Sequence, residues 1–458
     1  MIKEFIERIG QVIRKMLGRE KIKDAIGVEV AVSDKMANGI DLWAKMYKNE
    51  PPWKEKNIKL CGLPAAIAGE FARLVTLELK TEVTGNDFIN EEYQAVISDI
   101  RKYTEYACAK GGLAMKPYAS EGHIEVDMVQ ADRFFPTKFN SRGEVTAAVF
   151  AESLTVGKKV YTRLEYHQHE GTMYHINNTA FVKQDLDNVE VLGKEVPLTA
   201  VPEWANLQEE VTLKNVKMPL FAYFKIPNAN NVDDTSPLGV SVYSRAINDI
   251  KEADNQWTRL LWEFEGSELA ITLFKKDDKG NYEFPKGKDR LFRMMDLDDN
   301  AEKYKVFAPA IRDENLINGF NAILRRIEFN VGLAYGTLSD PNTVDKTAEE
   351  IKASKQRSYS TVSDIQKSLQ TALEQLVYAM DVMAQLSGLS GRKKYEMSFD
   401  WDDSIVIDKE QELASMQQDA VAGFIRKELY VAAKYGVSEE EALKMMPQQD
   451  ERFQIAEE

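Results

Sequence analysis

Residues 242–265 read VYSRAINDIKEADNQWTRLLWEFE, and apolar side chains recur in this stretch every three or four positions. Such spacing places the apolar side chains on one face of a helix. We predict a helix over residues 241–264, about 36 Å long at a rise of about 1.5 Å per residue. Ser236 and Pro237 have the chemistry of a helix start, a capping hydroxyl followed by proline. The apolar face consists of Tyr243, Ala246, Ile247, Ile250, Ala253, Trp257, Leu260, Leu261 and Phe264.

A second long helix is predicted after a short mixed segment. Asp313 is a candidate cap for it, and its apolar face consists of Leu316, Phe320, Ile323, Leu324, Ile327 and Val331. Between the two helices lie the apolar stretch ELAITLF (268–274), a charged region and an apolar return at Val306 and Phe307. The sequence therefore predicts two long helices that bracket a small mixed module.

The helical pattern stops at residues 332–346, GLAYGTLSDPNTVDK, because Gly336, Pro341 and Asn342 are incompatible with a continuous helix. Thr347 and Glu350 then fit a capping box, and apolar positions continue the next helix to about Leu386. A helix of roughly 40 residues exceeds the usual length in a globular domain. We expect this helix to cross much of the molecule.

The N-terminal half predicts helices first and strands second. Residues 1–110 are mostly helical, with one periodic run from Tyr93 to Ala107 that Gly111 and Gly112 end. From Leu113 to about Lys225 the sequence predicts an antiparallel β region. Its alternating stretches lie at 123–129, 144–150 and 160–169.

The C-terminal part predicts one strand, through Tyr395, Met397, Phe399 and Trp401. Two helices should follow, over 409–426 and 438–446, the second capped by Ser438 with Glu441. The expected fold class for the whole chain is α+β.

Composition limits the function. Lys and Arg number 59 and Asp and Glu 74, a net charge of -15, which argues against a protein that grips nucleic acid over its whole surface. Cys61 and Cys108 are too few for a disulfide framework, so a reducing cytoplasm is the expected setting.

No apolar run approaches the ~20 residues that span a bilayer. The first 21 residues predict an amphipathic helix, for which docking on its own protein is favoured over a membrane surface.

No catalytic or cofactor site is expected. The chain contains neither the phosphate-binding pattern GxxxxGK[ST] nor HExxH, and DLDDN (296–300) lacks the glycine and the final carboxylate of a calcium loop. If Glu170 and Gly171 form a two-residue hairpin turn, His167 and His169 share one strand face and His175 lies on the other. We therefore favour surface histidines over a zinc site, with His123 far away in the sequence.

Several stretches, taken in order, resemble the portal or connector proteins of tailed bacteriophages, especially those of long-tailed phages of Gram-positive bacteria. None of them is a catalytic signature, and the order of the elements is what is most similar. The stretches are the PPW segment (51–53), LPAAIAGEFARLVTLE (63–78), YACAKGGLAMKPY (106–118), DRFFPTKFNSRGEVTAAVF (132–150), PLGVSVYSRAINDIKEADNQW (237–257), YGTLSDPNTVDKTAEEIKASKQRSY (335–359) and FDWDDSIVIDKEQE (399–412).

This resemblance implies a portal fold with an α/β wing, a two-helix stem, a small α/β clip, a tunnel loop, a long wing helix and a helical crown. In this sequence the parts are the wing at 1–235, the first stem helix at 236–265, the clip at 266–311, the second stem helix at 312–333, the tunnel loop at 334–346, the long wing helix at 347–390, and the C-terminal strand and crown at 391–458.

The resemblance also implies a homododecameric ring at a capsid vertex of the virion. Double-stranded DNA would pass through it during packaging and ejection. The implied partners are terminase, head–tail connector or adaptor proteins, and the major capsid and scaffolding proteins; assembly would take place in the host cytoplasm, without a membrane.

Three groups of residues follow from these assignments. The stem should pack through Tyr243, Ile250, Trp257, Leu261, Phe320 and Leu324. The tunnel loop should present Thr337, Ser339, Asp340, Asn342, Thr343, Asp345 and Lys346 to the DNA channel. The clip should dock partners through Lys275, Lys276, Lys279, Lys286, Lys288, Arg290 and Arg293, although Asp277, Asp278 and Asp289 among them fit a solvated charged turn equally well.

Two other functions remain open from the sequence. One is a different structural protein of the phage head, such as a minor capsid or adaptor protein, which would not form a closed ring with a central hole. The other is a packaging enzyme. A nuclease would need clustered carboxylates for two metal ions and an ATPase would need a phosphate loop, and neither pattern is visible in the sequence.

Overall fold

The computed structural model describes residues 19–183, 192–266, 312–340, 348–401 and 409–446, with four short strands between 270 and 307. The chain divides into two compact units, Met1–Asp400 and Trp401–Glu458. Helices and strands both contribute, so the fold is α+β, as the sequence predicts. The N-terminal amphipathic helix falls mostly outside the described residues, which begin with helix α1 (Arg19–Ile26).

The first part of the larger unit is helical. Ser33 caps helix α2: its hydroxyl accepts a hydrogen bond from the amide of Met36 at 3.2 Å and donates one to the carboxylate of Asp233. Trp43 and Phe71 are fully buried among these helices. After α1, the helices are α2 (Asp34–Tyr47), α3 (Leu63–Thr76), α4 (Asp87–Ser98) and α5 (Ile100–Lys110).

The periodic run from Tyr93 to Ala107 is two helices and not one, which corrects the sequence prediction. Asp99 lies between α4 and α5 with φ −107 and ψ 3, outside helical geometry. Its amide donates to the carbonyl of Val96, which closes the first helix. Gly111 ends α5 in a left-handed conformation, as predicted.

The β region is antiparallel, as predicted. Strands β2 (Gly112–Ser120) and β3 (His123–Gln130) pair with each other, and β10 (Ala222–Lys225) pairs with the other edge of β2. A larger sheet has the order β4-β5-β6-β7-β8, and β9 also pairs with β7. Its strands are β4 (Phe134–Phe139), β5 (Val145–Val156), β6 (Lys159–Glu170), β7 (Met173–Lys183), β8 (Lys194–Val196) and β9 (Glu210–Lys214); a short β1 (Leu79–Thr84) precedes α4.

The hairpin between β6 and β7 turns one residue later than predicted. Glu170 pairs with Met173, so Gly171 and Thr172 form the turn, and Gly171 has a φ of 62. The positive φ at this first turn residue is one that glycine adopts readily. His167 and His169 still share one face and His175 lies on the other.

A pair of helices and a long helix follow the strands. They are α6 (Ile247–Gly266), α7 (Asp313–Val331) and α8 (Ala348–Leu386), the last of 39 residues. Helix α8 lies against the β region: Ser368 donates to the carbonyl of Lys225 at 2.5 Å, and Gln375 donates to that of Phe221 at 3.0 Å. Between α6 and α7, the strands Ala270–Ile271 and Val306–Phe307 pair, as do Lys275–Lys276 and Tyr282–Glu283.

Helix α6 begins at Ile247, so Ser236 and Pro237 do not start it and the prediction of a helix from 241 is wrong at that end. Residues 236–246 are irregular, with a turn at 242–245, and pack at the end of α5 instead. The amide of Val242 donates to the carbonyl of Cys108 at 3.0 Å, and the buried Ser241 hydroxyl accepts from the amide of Tyr243. The first of these bonds is tertiary and fixes the segment against α5, and the second is local to the turn.

Helix α7 has Asp313 as its first residue and Arg312 as its N-cap, with no side-chain capping bond, so Asp313 is not the cap that the sequence predicts. An acidic residue in the first turn still interacts favourably with the helix dipole. Thr347, the predicted cap of α8, lies outside the described residues.

The C-terminal part contains strand β11 (Glu396–Trp401), which pairs with β1, and three helices where the sequence predicts two. They are α9 (Lys409–Ala422), α10 (Lys427–Tyr435) and α11 (Glu439–Met445). The first of them ends before Gly423, which has a φ of 80, a few residues earlier than predicted, and α10 lies between the two predicted ranges. Ser438 and Glu441 form the predicted capping box at the start of α11.

Candidate functional site

The candidate site is the α6–α7 helix pair with the segment 332–340 that follows it. In the middle of the pair the rings of Trp257 and Phe320 lie 5.7 Å apart between centroids, tilted by 36°. Ile250 and Leu324 are buried, while Leu261 is half-buried. These five predicted packing residues all lie on α6 or α7.

Tyr243, the sixth predicted packing residue, lies in the turn before α6. Its side chain is fully buried, and its hydroxyl donates to the backbone carbonyl of Trp43 in α2 at 2.9 Å. It therefore joins the helix pair to the N-terminal helices.

Ion pairs join both ends of the helix pair. Near the start of α6, Asp249 accepts from Asn330 at 2.7 Å and lies 3.0 Å from the guanidinium of Arg326. Near the end of α6, Glu263 accepts from Arg312 through two bonds of 3.0 and 2.8 Å. These bonds lower the pKa of the Glu263 carboxyl. Arg312 and Arg326 are exposed, so the two pairs set the register of the helices more than they stabilise them.

A buried carboxylate attaches the loop before α3 to the middle of α6. Asp254 is 3% exposed. It accepts from the indole nitrogen of Trp53 at 2.9 Å and from the amide of Cys61 at 2.8 Å. Burial, and next the charge of Asp254, raise the pKa of the Cys61 thiol to about 12. Cys61 is therefore a protonated thiol at neutral pH and not an activated nucleophile.

A second buried carboxylate holds the segment after α7. Glu328 has no exposed surface. One of its oxygens accepts from the amides of Leu338 and Ser339 at 2.6 and 2.9 Å, and the other accepts from the Ser339 hydroxyl at 3.0 Å. The amide of Asp340 donates to the side chain of Asn321 at 3.2 Å.

The same segment is also attached to α8. The amide of Tyr335 donates to the hydroxyl of Ser354 at 2.8 Å. The guanidinium of Arg357 lies over two rings, 4.6 Å from the centroid of Phe329 and 5.4 Å from that of Tyr335. Such stacking is a favourable cation–π arrangement.

The described helix pair also exposes large apolar side chains. A few exposed apolar residues are normal on any protein. Here four such residues lie on two packed helices, and three of them are aromatic. They are Trp262 (57% exposed), Phe264 (42%), Ile317 (40%) and Phe329 (56%).

The structure describes three of the predicted loop residues. Thr337 is exposed and its hydroxyl donates to the carbonyl of Ala334, Ser339 is 4% exposed against Glu328, and Asp340 is exposed. Asn342, Thr343, Asp345 and Lys346 lie outside the described residues. The predicted clip residues are described only in part. Lys275 and Lys276 are described as a backbone strand. Outside the described residues lie Lys279, Lys286, Lys288, Arg290 and Arg293.

His167 is buried at 3% exposure, which corrects the prediction of a surface histidine. Its Nε2 lies 2.8 Å from Glu165 and its Nδ1 lies 2.7 Å from the hydroxyl of Tyr174. Glu165 also accepts from Lys116 at 2.6 Å. Among the described residues, no group of three or more His, Cys, Asp or Glu is arranged to hold a metal ion.

One comparison with known proteins identifies the family of the chain. The sequence model of the family described as phage portal protein, SPP1 Gp6-like, matches residues 75–454. The chain therefore belongs to this family of phage portal proteins, and the resemblance drawn from the sequence is confirmed at that level. A comparison with curated proteins finds no match.

Family membership indicates what kind of role the chain has. Portal proteins are structural components of the phage capsid, which supports a structural role over an enzymatic one. Within the part of the chain that the structure describes, no helix combines the length and the hydropathy needed to cross a membrane.

Proposed function

We propose that this chain is one subunit of a dodecameric ring at a capsid vertex, through which double-stranded DNA is packaged and later ejected. The observation that carries the proposal is the helix pair α6–α7 with its exposed apolar side chains, in a chain that belongs to the phage portal family. During packaging the ring would dock terminase, and afterwards the head–tail connector proteins.

The helix pair supplies what a closed ring needs. A ring built from one repeated head-to-tail contact requires two different complementary surfaces on each subunit. The contacts of Trp257 with Phe320 hold α6 to α7 within one chain. Trp262 and Ile317 remain exposed and are available to a neighbouring subunit. We assign residues 236–265 and 312–333 to the stem on this basis.

The remaining parts follow from the order of the elements. We assign 1–235 and 347–390 to the wing, 266–311 to the clip that docks terminase and connectors, 334–346 to the tunnel loop and 391–458 to the crown. The major capsid and scaffolding proteins would contact the wing.

The net charge of -15 suits a conduit for DNA. Each phosphate that a protein neutralises adds salt-sensitive affinity, which would slow translocation. An acidic subunit limits such contacts, while the two lysines of the strand Lys275–Lys276 lie in the proposed clip.

The test is the shape of the assembled protein. Negative-stain micrographs of the purified full chain, alone and with scaffolding protein, should show rings with a central hole. A minor capsid or adaptor protein would give monomers or other assemblies. Rings missing under both conditions, in protein that melts cooperatively, would overturn the proposal. As a second measurement, procapsids that contain the chain should protect DNA from DNase, and procapsids without it should not.

A further inference from the structure

Glu328 occupies an unusual position for a carboxylate, because it lies on the apolar face of α7 with no exposed surface. Its neighbours on that face, Leu324, Ile327 and Val331, are buried hydrophobic residues. Burying a charge is unfavourable unless strong hydrogen bonds compensate for it. The compensating donors here are the amides of Leu338 and Ser339 and the Ser339 hydroxyl, all from the segment that follows the helix.

These bonds determine where the segment runs. Asn321 lies seven residues before Glu328, about two turns earlier on the same face of α7. Its side chain accepts from the amide of Asp340, while Glu328 holds residues 338 and 339. After the helix ends, the chain therefore returns along α7 toward the beginning of that helix.

The turn that allows this return is sterically restricted. Gly332 has a φ of 86, and a Cβ at this position would lie 2.7 Å from the hydroxyl oxygen of Thr361 in α8. Tyr335 is held on α8 by Ser354 and stacked by Arg357. Residues 332–340 are thus fixed to both helices, with Glu328 as their buried charged acceptor.

We propose that Glu328 is a positioning residue of the tunnel loop: its carboxylate fixes residues 338–340 on α7, so that the loop keeps its place in the channel and follows any movement of that helix. This inference rests on the proposed portal function. An ordinary connection between two helices would need neither a buried carboxylate nor bonds to two consecutive amides. Hydrogen bonds to a charged acceptor are also stronger than those between neutral groups.

The first experiment measures the bonds directly, by amide hydrogen exchange in the full-length protein. In Glu328→Ala, the amides of Leu338 and Ser339 should exchange roughly tenfold faster or more, because each loses a charged acceptor. Glu328→Gln keeps the shape and one oxygen acceptor, so it should fold well and give a smaller increase. Glu314→Ala is the matched control, since Glu314 is exposed on the same helix. Unchanged exchange at both amides in both Glu328 variants would overturn the proposal.

The second experiment measures the role of the fixed loop. Procapsids assembled with Glu328→Ala rings should lose most of their DNase-protected DNA, and those with Glu328→Gln rings should lose less. Glu314→Ala should package normally. Normal packaging by intact Glu328→Ala rings with released amides would overturn the positioning role and leave the portal function standing. Failure of the wild-type chain to form rings would instead overturn the portal function and the positioning role together, whatever the exchange rates are.

Discussion

The indole nitrogen of Trp53 donates a hydrogen bond of 2.9 Å to the carboxylate of Asp254, which lies 201 positions further along the chain. The other oxygen of the same carboxylate accepts from the amide of Cys61. One buried side chain in the middle of α6 therefore holds both ends of the segment 53–61, and the position of that segment depends on the helix pair.

Replacing Asp254 with Asn should lower the free energy of unfolding by about 1–3 kcal/mol, because one buried donor loses its acceptor. Urea denaturation of the purified protein measures this change. Glu252→Gln is the control, because Glu252 is an exposed carboxylate on the same helix and should have an effect below about 0.5 kcal/mol. Equal effects of the two substitutions would show that the bonds of Asp254 contribute nothing.

The same substitution should make Cys61 more reactive. Burial is the main reason that the thiol pKa is raised to about 12, and the charge of Asp254 is the next. Without that charge the pKa falls and the thiolate fraction rises, so alkylation by iodoacetamide at pH 8 should be faster than in the wild type. Cys108, whose thiol pKa burial also raises, is an internal control that should stay slow. An unchanged rate at Cys61 would mean that the carboxylate does not influence the thiol.

Trp257→Ala and Phe320→Ala should each reduce the free energy of unfolding by about 2–4 kcal/mol, since each removes one ring of a packed pair. The double variant should lose less than the sum, because the two rings contact each other. Denaturant unfolding of the four proteins measures the coupling. Strict additivity would contradict a direct packing role.

Trp262→Ala should act on assembly and not on the stability of the subunit. Trp262 is 57% exposed in the single chain, so its loss should change the free energy of unfolding by less than about 0.5 kcal/mol. If the residue is buried between subunits, ring formation should need roughly tenfold more protein, as expected for an interface tryptophan. Light scattering across a concentration series measures this, with the exposed Lys251→Ala as a control on the same helix. An unchanged midpoint would place Trp262 outside the interface.

The stability of the protein should fall as the pH drops below about 6.5. Burial lowers the pKa of His167, so the folded protein binds a proton less readily than the unfolded chain. The contribution of His167 to stability is complete at pH values above its pKa in the unfolded chain, about 6.5. It is lost as the pH falls toward the pKa in the folded protein. Burial alone would raise the pKa of Glu165, but Lys116, His167 and Arg163 together hold it well below the usual value, which adds a loss of the same sign below about pH 4.5.

Thermal melting between pH 7.5 and 5.5 tests this dependence. His167→Gln should flatten the slope of the melting temperature against pH. Protonation of His123 has the opposite effect on stability. Its exposed ring bonds to Glu92, which raises its pKa, so His123 stabilises the fold at low pH. His123→Ala should therefore make the slope steeper. A steeper slope for His167→Gln would show that the buried ring is protonated in the folded protein.

The order of the elements could be read from the sequence because it depends on local patterns. The helical period around Phe320 and the glycines at 111 and 112 predict helix α7 and the end of α5, and the structure has both. The predicted start of α6 was wrong, because the true start depends on a tertiary bond to Cys108. The hairpin register was wrong by one residue, because Glu170–Gly171 and Gly171–Thr172 are both acceptable turn pairs locally.

The residues that hold the candidate site together were not predicted. Asp254 and Glu328 are single carboxylates in apolar stripes, four residues after Ile250 and Leu324. This position was a usable signal, since a charge on the buried face of a helix needs a partner. Their donors, Trp53 and Ser339, lie 201 and 11 positions away, and only the first of these distances is beyond the reach of local reasoning.

The contact between Gly111 and Gly239 has a consequence for how the chain is made. A Cβ on Gly111 would lie 2.5 Å from the carbonyl oxygen of Gly239, and one on Gly239 would meet the carbonyl oxygen of Gly111. The amide of Ile226 also donates to that carbonyl of Gly111. Strand β2 therefore completes its surroundings only after residue 239 has left the ribosome. During translation, the helices before Gly111 lack their final packing partners. A pause in synthesis before residue 239 would leave their apolar faces exposed and prone to aggregation.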